Sequence, residues 1–103
     1  MSTLNVIMQK AFSLLAGEEV IGCDFVQDGT QINIRGHVYF TGAGTIRILQ
    51  KNIWFDTIKS DSSSITGAGS IYFNLLLYGH EILVYIKNDA GTTQTARLYI
   101  TTD

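Results

Sequence analysis

Proline is absent, cysteine occurs once, and charge is scarce: seven Lys or Arg and nine Asp or Glu make up 16% of 103 residues, where soluble domains carry about 25%. Each shortage excludes something. With Cys23 alone there is no internal disulfide and no thiolate cluster to hold zinc, so it reads as a small hydrophobe on a strand. The charges stand singly and sum to −2, without a basic stripe to displace phosphate counterions, and nucleic acid is not an expected partner. No apolar run reaches transmembrane length, and Lys10 sits inside the first apolar stretch instead of before it. Neither a membrane span nor a secretory leader is expected, which implies synthesis in a cytoplasm. Missing proline also removes one of the usual guards of exposed sheet edges.

Hydrophobic residues make up 46% of the chain, enough for one domain with an ordinary core. Residues 1–16 are ambiguous, because Leu4, Ile7, Ala11, Leu14 and Leu15 fit a helical stripe while Val6, Met8, Phe12 and Leu14 fit alternation. They are expected to form an N-terminal arm or first strand, with a strand around 11–15, ahead of a domain over 17–103. In EVIGCDFV at 19–26 the alternation sets Ile21, Cys23 and Phe25 on one face and Asp24 on the other. Asp28-Gly29 then predicts a hairpin turn. Along 31–40, Ile32, Ile34, Val38 and Phe40 share the inner row and Asn33, Arg35, His37 and Tyr39 the outer, while Gly36 on the inner row leaves room for a close neighbour.

TGAG occurs twice, at 41–44 and 66–69, each time ahead of an alternating run. Residues 45–50 and 53–58 read as strands, and Trp54 and Phe55 would then point to opposite faces. Residues 60–64, five polar residues in succession, read as a surface loop. Three more strands follow over 70–78, 81–87 and 95–101, with 88–91 predicting another hairpin turn. Seven or eight short strands at this spacing predict an all-β fold, an antiparallel two-sheet β-sandwich of Ig-like or jelly-roll-like type.

TIRILQ at 45–50, Asn52, Trp54, TGAGSIYFN at 66–74, Tyr78-Gly79, ILVYI at 82–86, the polar GTT turn and RLYI at 97–100 resemble, in order and kind, small β-sandwich virion proteins of tailed bacteriophages, head decoration and tail-associated proteins among them. The resemblance covers about the last two thirds of the chain. Where that family carries an aspartate–glycine turn before the tryptophan, this chain has Lys51-Asn52-Ile53. It implies a non-enzymatic protein of the virion that binds repeatedly to a shell or tail, with the major capsid protein or another virion protein as partner.

A search for chemistry finds none. His37 and His80 lack a second ligand at metal spacing, and His80 and Glu81, being adjacent on a strand, face opposite ways. The acids Asp24, Asp28, Asp56 and Asp61 do not form a calcium loop, and serines 62–64 have no nucleophile elbow. No catalytic, cofactor or metal residue is therefore expected. What does stand out is apolar surplus on the rows opposite the core: Tyr39, Tyr72, Leu76, Tyr78, Leu83, Tyr85 and Tyr99. Tyrosine joins a large apolar body to one hydroxyl, which suits interfaces as well as half-buried sheet positions. These seven are the candidate interface of a homo-oligomer. A second reading is a carbohydrate- or receptor-binding module of tail-fibre or spike type, using Tyr72, Tyr78 or Trp54 as stacking platforms.

Overall fold

A computed structural model describes residues 5–26, 33–76 and 80–102. They form eight strands: β1 (Asn5–Leu14), β2 (Glu19–Val26), β3 (Asn33–Phe40), β4 (Gly44–Lys51), β5 (Thr57–Ile65), β6 (Gly69–Leu76), β7 (Glu81–Asn88) and β8 (Gln94–Thr102). Sheet A has the order β1-β8-β3-β6 and sheet B the order β2-β7-β4-β5. Every pairing is antiparallel. Strand β1 pairs with β8, β2 with β7, β3 with β6 and β4 with β5, as in one long hairpin. Rolling it up adds the β3–β8 and β4–β7 ladders, which is the jelly-roll form of the sandwich.

This topology changes how the turns work. Only β4 and β5 are consecutive partners in one sheet, and every other connection carries the chain from one sheet to the other. Both TGAG segments are such crossovers, from β3 to β4 and from β5 to β6. The expected hairpins at 28–29 and 88–91 are crossovers as well, since β2 and β3, like β7 and β8, lie in different sheets. The Asp28-Gly29 turn itself lies outside the described residues.

Alternating inward rows supply the core: Ile34, Val38 and Phe40 from β3, Ile46 and Ile48 from β4, Ile82, Val84 and Ile86 from β7, and Ala96, Leu98 and Ile100 from β8. The central strands of both sheets thus contribute most of it. Gly36 is on the inward row as expected. A Cβ there would come within 2.6 Å of the Phe73 ring and 2.5 Å of the Tyr99 carbonyl oxygen, so the missing side chain is what lets Phe73 lie across β3.

Three segments depart from the expectation for identifiable reasons. Of the two alternatives for residues 1–16 the described part takes the first strand, longer than the one expected around 11–15: Asn5–Leu14, held along β8. In β2 a bulge between Ile21 and Cys23 inserts Gly22, so Ile21 turns outward beside Asp24 while Cys23 stays inside. Residues 60–64, four serines and Asp61, are the middle of β5 and not a loop. Their place is set by the β4 ladder, which overrides the low strand preference of serine. Edge protection without proline comes from charges at inward register positions: Lys10 opposite Leu98 on β1 and Asp61 opposite Ile48 on β5.

Candidate functional site

Among the described residues no three metal-ligating side chains converge. What the fold presents instead is surface, in three parts.

The first is the β4–β5 turn. Asn52 Oδ1 accepts hydrogen bonds from the backbone N–H groups of Trp54 (2.9 Å) and Asp56 (3.0 Å). The Asn52 N–H donates to the Asp56 carbonyl and the Phe55 N–H to the Asn52 carbonyl, both at 2.9 Å. An asparagine that bonds the backbone ahead of it closes a turn locally. Phe55 adopts φ 64°, a left-handed conformation unusual for an aromatic residue. Trp54 therefore does not sit on a strand back to back with Phe55: the strand begins at Thr57, and Ile53, Trp54 and Phe55 all stand in solvent, Trp54 with 73% of its surface open. Sequence reasoning had the tryptophan but missed that three apolar neighbours share one tip. The capping asparagine was the available signal.

The second part is the outer face of sheet A. Ladder register places Arg35, His37 and Tyr39 of β3 between Arg97, Tyr99 and Thr101 of β8 and Ser70, Tyr72 and Asn74 of β6. The His37 ring lies 5.4 Å from that of Tyr72 and 5.6 Å from that of Tyr99, in tilted contact. A shallow hollow of about 370 Å³ opens over Arg35, His37, Tyr72, Asn74, Tyr99 and Thr101. Tyr72 is 76% exposed, Tyr39 and Leu76 are partly open, and Tyr99 is half-buried. Four of the seven expected interface residues thus lie on this sheet.

The third part, the outer face of sheet B, holds two more. Leu83 is only 5% exposed despite its outward row, covered between neighbouring rows whose register partners are Leu49 and Asp24. Tyr85 lies under the Arg47 guanidinium, 4.6 Å from the ring centroid, and Arg47 makes a paired contact with Glu19 (2.9 and 3.2 Å). That hydrogen bond, more than charge alone, raises the Arg47 pKa. Around this pair Ile21 and Val26 of β2 and Ile58 of β5 are exposed. Partial burial and then the neighbouring Asp24 raise the pKa of Glu81, against the opposing pull of Lys51 and His80. Tyr78, the seventh candidate, lies outside the described residues. The alternation marks Arg35 as outward-facing, but that β3 and β8 are neighbours, which puts Arg35 and Arg97 on one surface, is not readable along the chain.

No protein-family model matches the sequence, and no curated protein matches it. One solved structure, from work describing Bacillus endospore appendages as a novel family of disulfide-linked pili, superposes with a TM-score of 0.61 at 13% identity. The match covers 97% of this chain and 84% of that one. At this identity the likeness is one of fold, and it agrees with the β-sandwich described above.

Proposed function

We propose that the chain is a non-enzymatic structural protein, used as a repeated subunit whose sheet faces and β4–β5 tip are covered by neighbours. The observation that carries this reading is the tip. Three consecutive large apolar side chains, Ile53, Trp54 and Phe55, are held out from the core by a hydrogen-bonded turn. A preformed apolar projection of this kind fits a pocket on a partner and loses little entropy on docking.

In its finer form the assembly is a bacteriophage virion, and the chain decorates the head shell, bridging copies of the major capsid protein. The resemblance of residues 45–100 to phage virion sandwiches supports that form. A second form, copies joined to one another in a fibre, is favoured by the likeness of fold to a pilus subunit. The link would differ from the disulfides named for that appendage. The sole cysteine of this sequence, Cys23, is 4% exposed within the sandwich, so contacts through it would require opening the fold.

Cosedimentation with purified phage heads and tails, beside electron microscopy of the protein alone, tests both forms. Saturable pelleting with particles is expected for the first and regular filaments for the second. A protein that stays monomeric at high concentration and pellets with nothing overturns the reading.

A further inference from the structure

The acids of this molecule are sorted by sheet, while its cations are divided, Arg47, Lys51, Lys59 and Lys87 lying on the strands of sheet B. The four strands of sheet A contain no aspartate or glutamate, and carry Arg35 and Arg97 together with His37 on their outward rows, Lys10 being at an inward position. Every described carboxylate lies in sheet B or in a turn: Glu19, Asp24, Asp61 and Glu81 on strands, Glu18, Asp56 and Asp89 between them. A chain of net charge −2 therefore has one cationic, aromatic face. On the opposite face the outward row of β2 reads Glu19, Ile21, Asp24, Val26, with Glu81 of β7 diagonally across the ladder from Asp24. Acids and exposed aliphatics alternate along β2, and the outward charges of β2 and β7, three carboxylates and the exposed Lys87, sum to −2.

From this sorting we infer that copies stack face to back, the outer face of sheet A of one copy seated on the β2–β7 side of sheet B of the next. In that contact Arg35 and Arg97 meet Glu19, Asp24 and Glu81, and Tyr72, His37 and Tyr99 cover Ile21 and Val26. The spacing agrees. Arg97 is opposite Tyr39, four residues along β3 from Arg35, which is about 13 Å at strand rise. Glu19 is opposite Lys87 and Asp24 opposite Leu83, again four residues and about 13 Å apart along β7. Glu19 is shared with Arg47 of its own copy. Asp24 and Glu81 are diagonal neighbours across the β2–β7 ladder, so an incoming guanidinium relieves their repulsion.

Size permits the contact. The molecule measures 40 × 34 × 18 Å along its axes, and its broad face exceeds the roughly 800 Å² per partner that a standard interface needs. Pairing two copies through sheet A alone would set Arg35, Arg97 and His37 against their own kind. Like-charge juxtaposition disfavours that, and leaves the heterologous contact. A heterologous contact that does not close into a ring propagates as a row of copies.

The inference rests on the subunit reading, and a charge-reversal complementation separates the two. Self-association is followed by sedimentation velocity and microscopy for wild type, for R35E/R97E, for D24K/E81K, and for an equal mixture of the two variants. Wild type is expected to associate and to come apart as salt is raised. Each variant alone is expected to associate at least about a hundredfold more weakly. The mixture is expected to regain association, because every reversed face then finds a reversed partner. Circular dichroism identifies a misfolded variant, for which R35Q/R97Q or D24N/E81Q, expected to weaken association without regain on mixing, takes its place. If wild type associates and both variants do so equally well, or the mixture gains nothing, the face-to-back contact is wrong and the subunit reading stands. If wild type neither associates nor binds particles, both fail.

Discussion

Gln94 Nε2 donates a 2.5 Å hydrogen bond to Asn88 Oδ1, and through this pair three turns at one end of the sandwich become a single unit. Asn88 Nδ2 donates to the carbonyls of Leu14, Leu15 and Thr92 (3.1, 3.0 and 2.8 Å), while Gln94 Nε2 also reaches Ala43 O and Gln94 Oε1 accepts from Gly42 N. Asn88 is fully buried, so removing its amide leaves carbonyls without water to replace it. Asn88→Ala is expected to lower unfolding stability by about 2–3 kcal/mol. Asn88→Asp is expected to do more harm, because an acceptor then faces acceptors. Urea denaturation of both variants measures this, and an N88D as stable as N88A would contradict the donor role.

Gly44 opens β4 directly against a core ring. A Cβ built there would run into the ring of Phe40, whose side chain is fully buried. Gly44→Ala is therefore expected to destabilise by about 1–3 kcal/mol through overpacking. Combining it with Phe40→Leu should yield less than the sum of the two losses, a coupling that thermal melts of the double-mutant cycle detect.

Alternation along the chain was sufficient to place most of the strands and most of the core, because a buried row of Ile, Val and Leu at period two leaves little choice of face. It was not sufficient where a backbone irregularity changed the phase, as at Gly22, or where composition and position disagreed, as in the serines of β5. Sheet membership was hidden for a different reason. A glycine turn looks alike whether it closes a hairpin or crosses between sheets, and only the pairing of residues far apart in sequence, such as Lys10 with Leu98, decides between them. The buried amides of Asn88 and Gln94 were visible in principle: each continues an inward row, after Ile86 and before Ala96, where an unpartnered polar group would be costly.

Cys23 gives a chemical readout of this core. Burial first, and then the nearby Asp24 carboxylate, pushes its thiol pKa up, so little thiolate is present at neutral pH. In the folded protein a disulfide exchange reagent is expected to modify Cys23 only at the rate of opening, and non-reducing gels are expected to show no covalent dimer. Rapid stoichiometric modification without denaturant would contradict the placement on the inward row.

Glu81 supplies a pH dependence whose sign is fixed. Its folded pKa is raised, by partial burial and then by the Asp24 contact, so between the ordinary carboxylate value and the raised one the folded state holds more proton than the unfolded. Its contribution to stability is present at acid pH and lost as pH rises through that window. Glu81→Gln removes the titration. Relative to wild type, the variant's urea midpoint is expected to rise from pH ~4 to pH ~7. A constant difference across that range would show that the carboxyl pair is not coupled.

Trp54 separates stability from assembly, because it is the only tryptophan and most of its surface is open. Its emission in the dissociated protein is expected to resemble that of free tryptophan and to be quenched readily by iodide or acrylamide. Since the side chain leaves the core untouched, Trp54→Ala should alter unfolding stability by no more than about 0.5 kcal/mol. The Asn52 hydrogen bonds go to backbone groups, so the turn survives the substitution and only the projection is lost. On assembly, or on binding to a particle, the wild-type emission is expected to shift to the blue and become protected from quencher, while W54A binds more weakly. Blue-shifted emission in the isolated monomer, or full binding by W54A, would remove the tip from the contact surface.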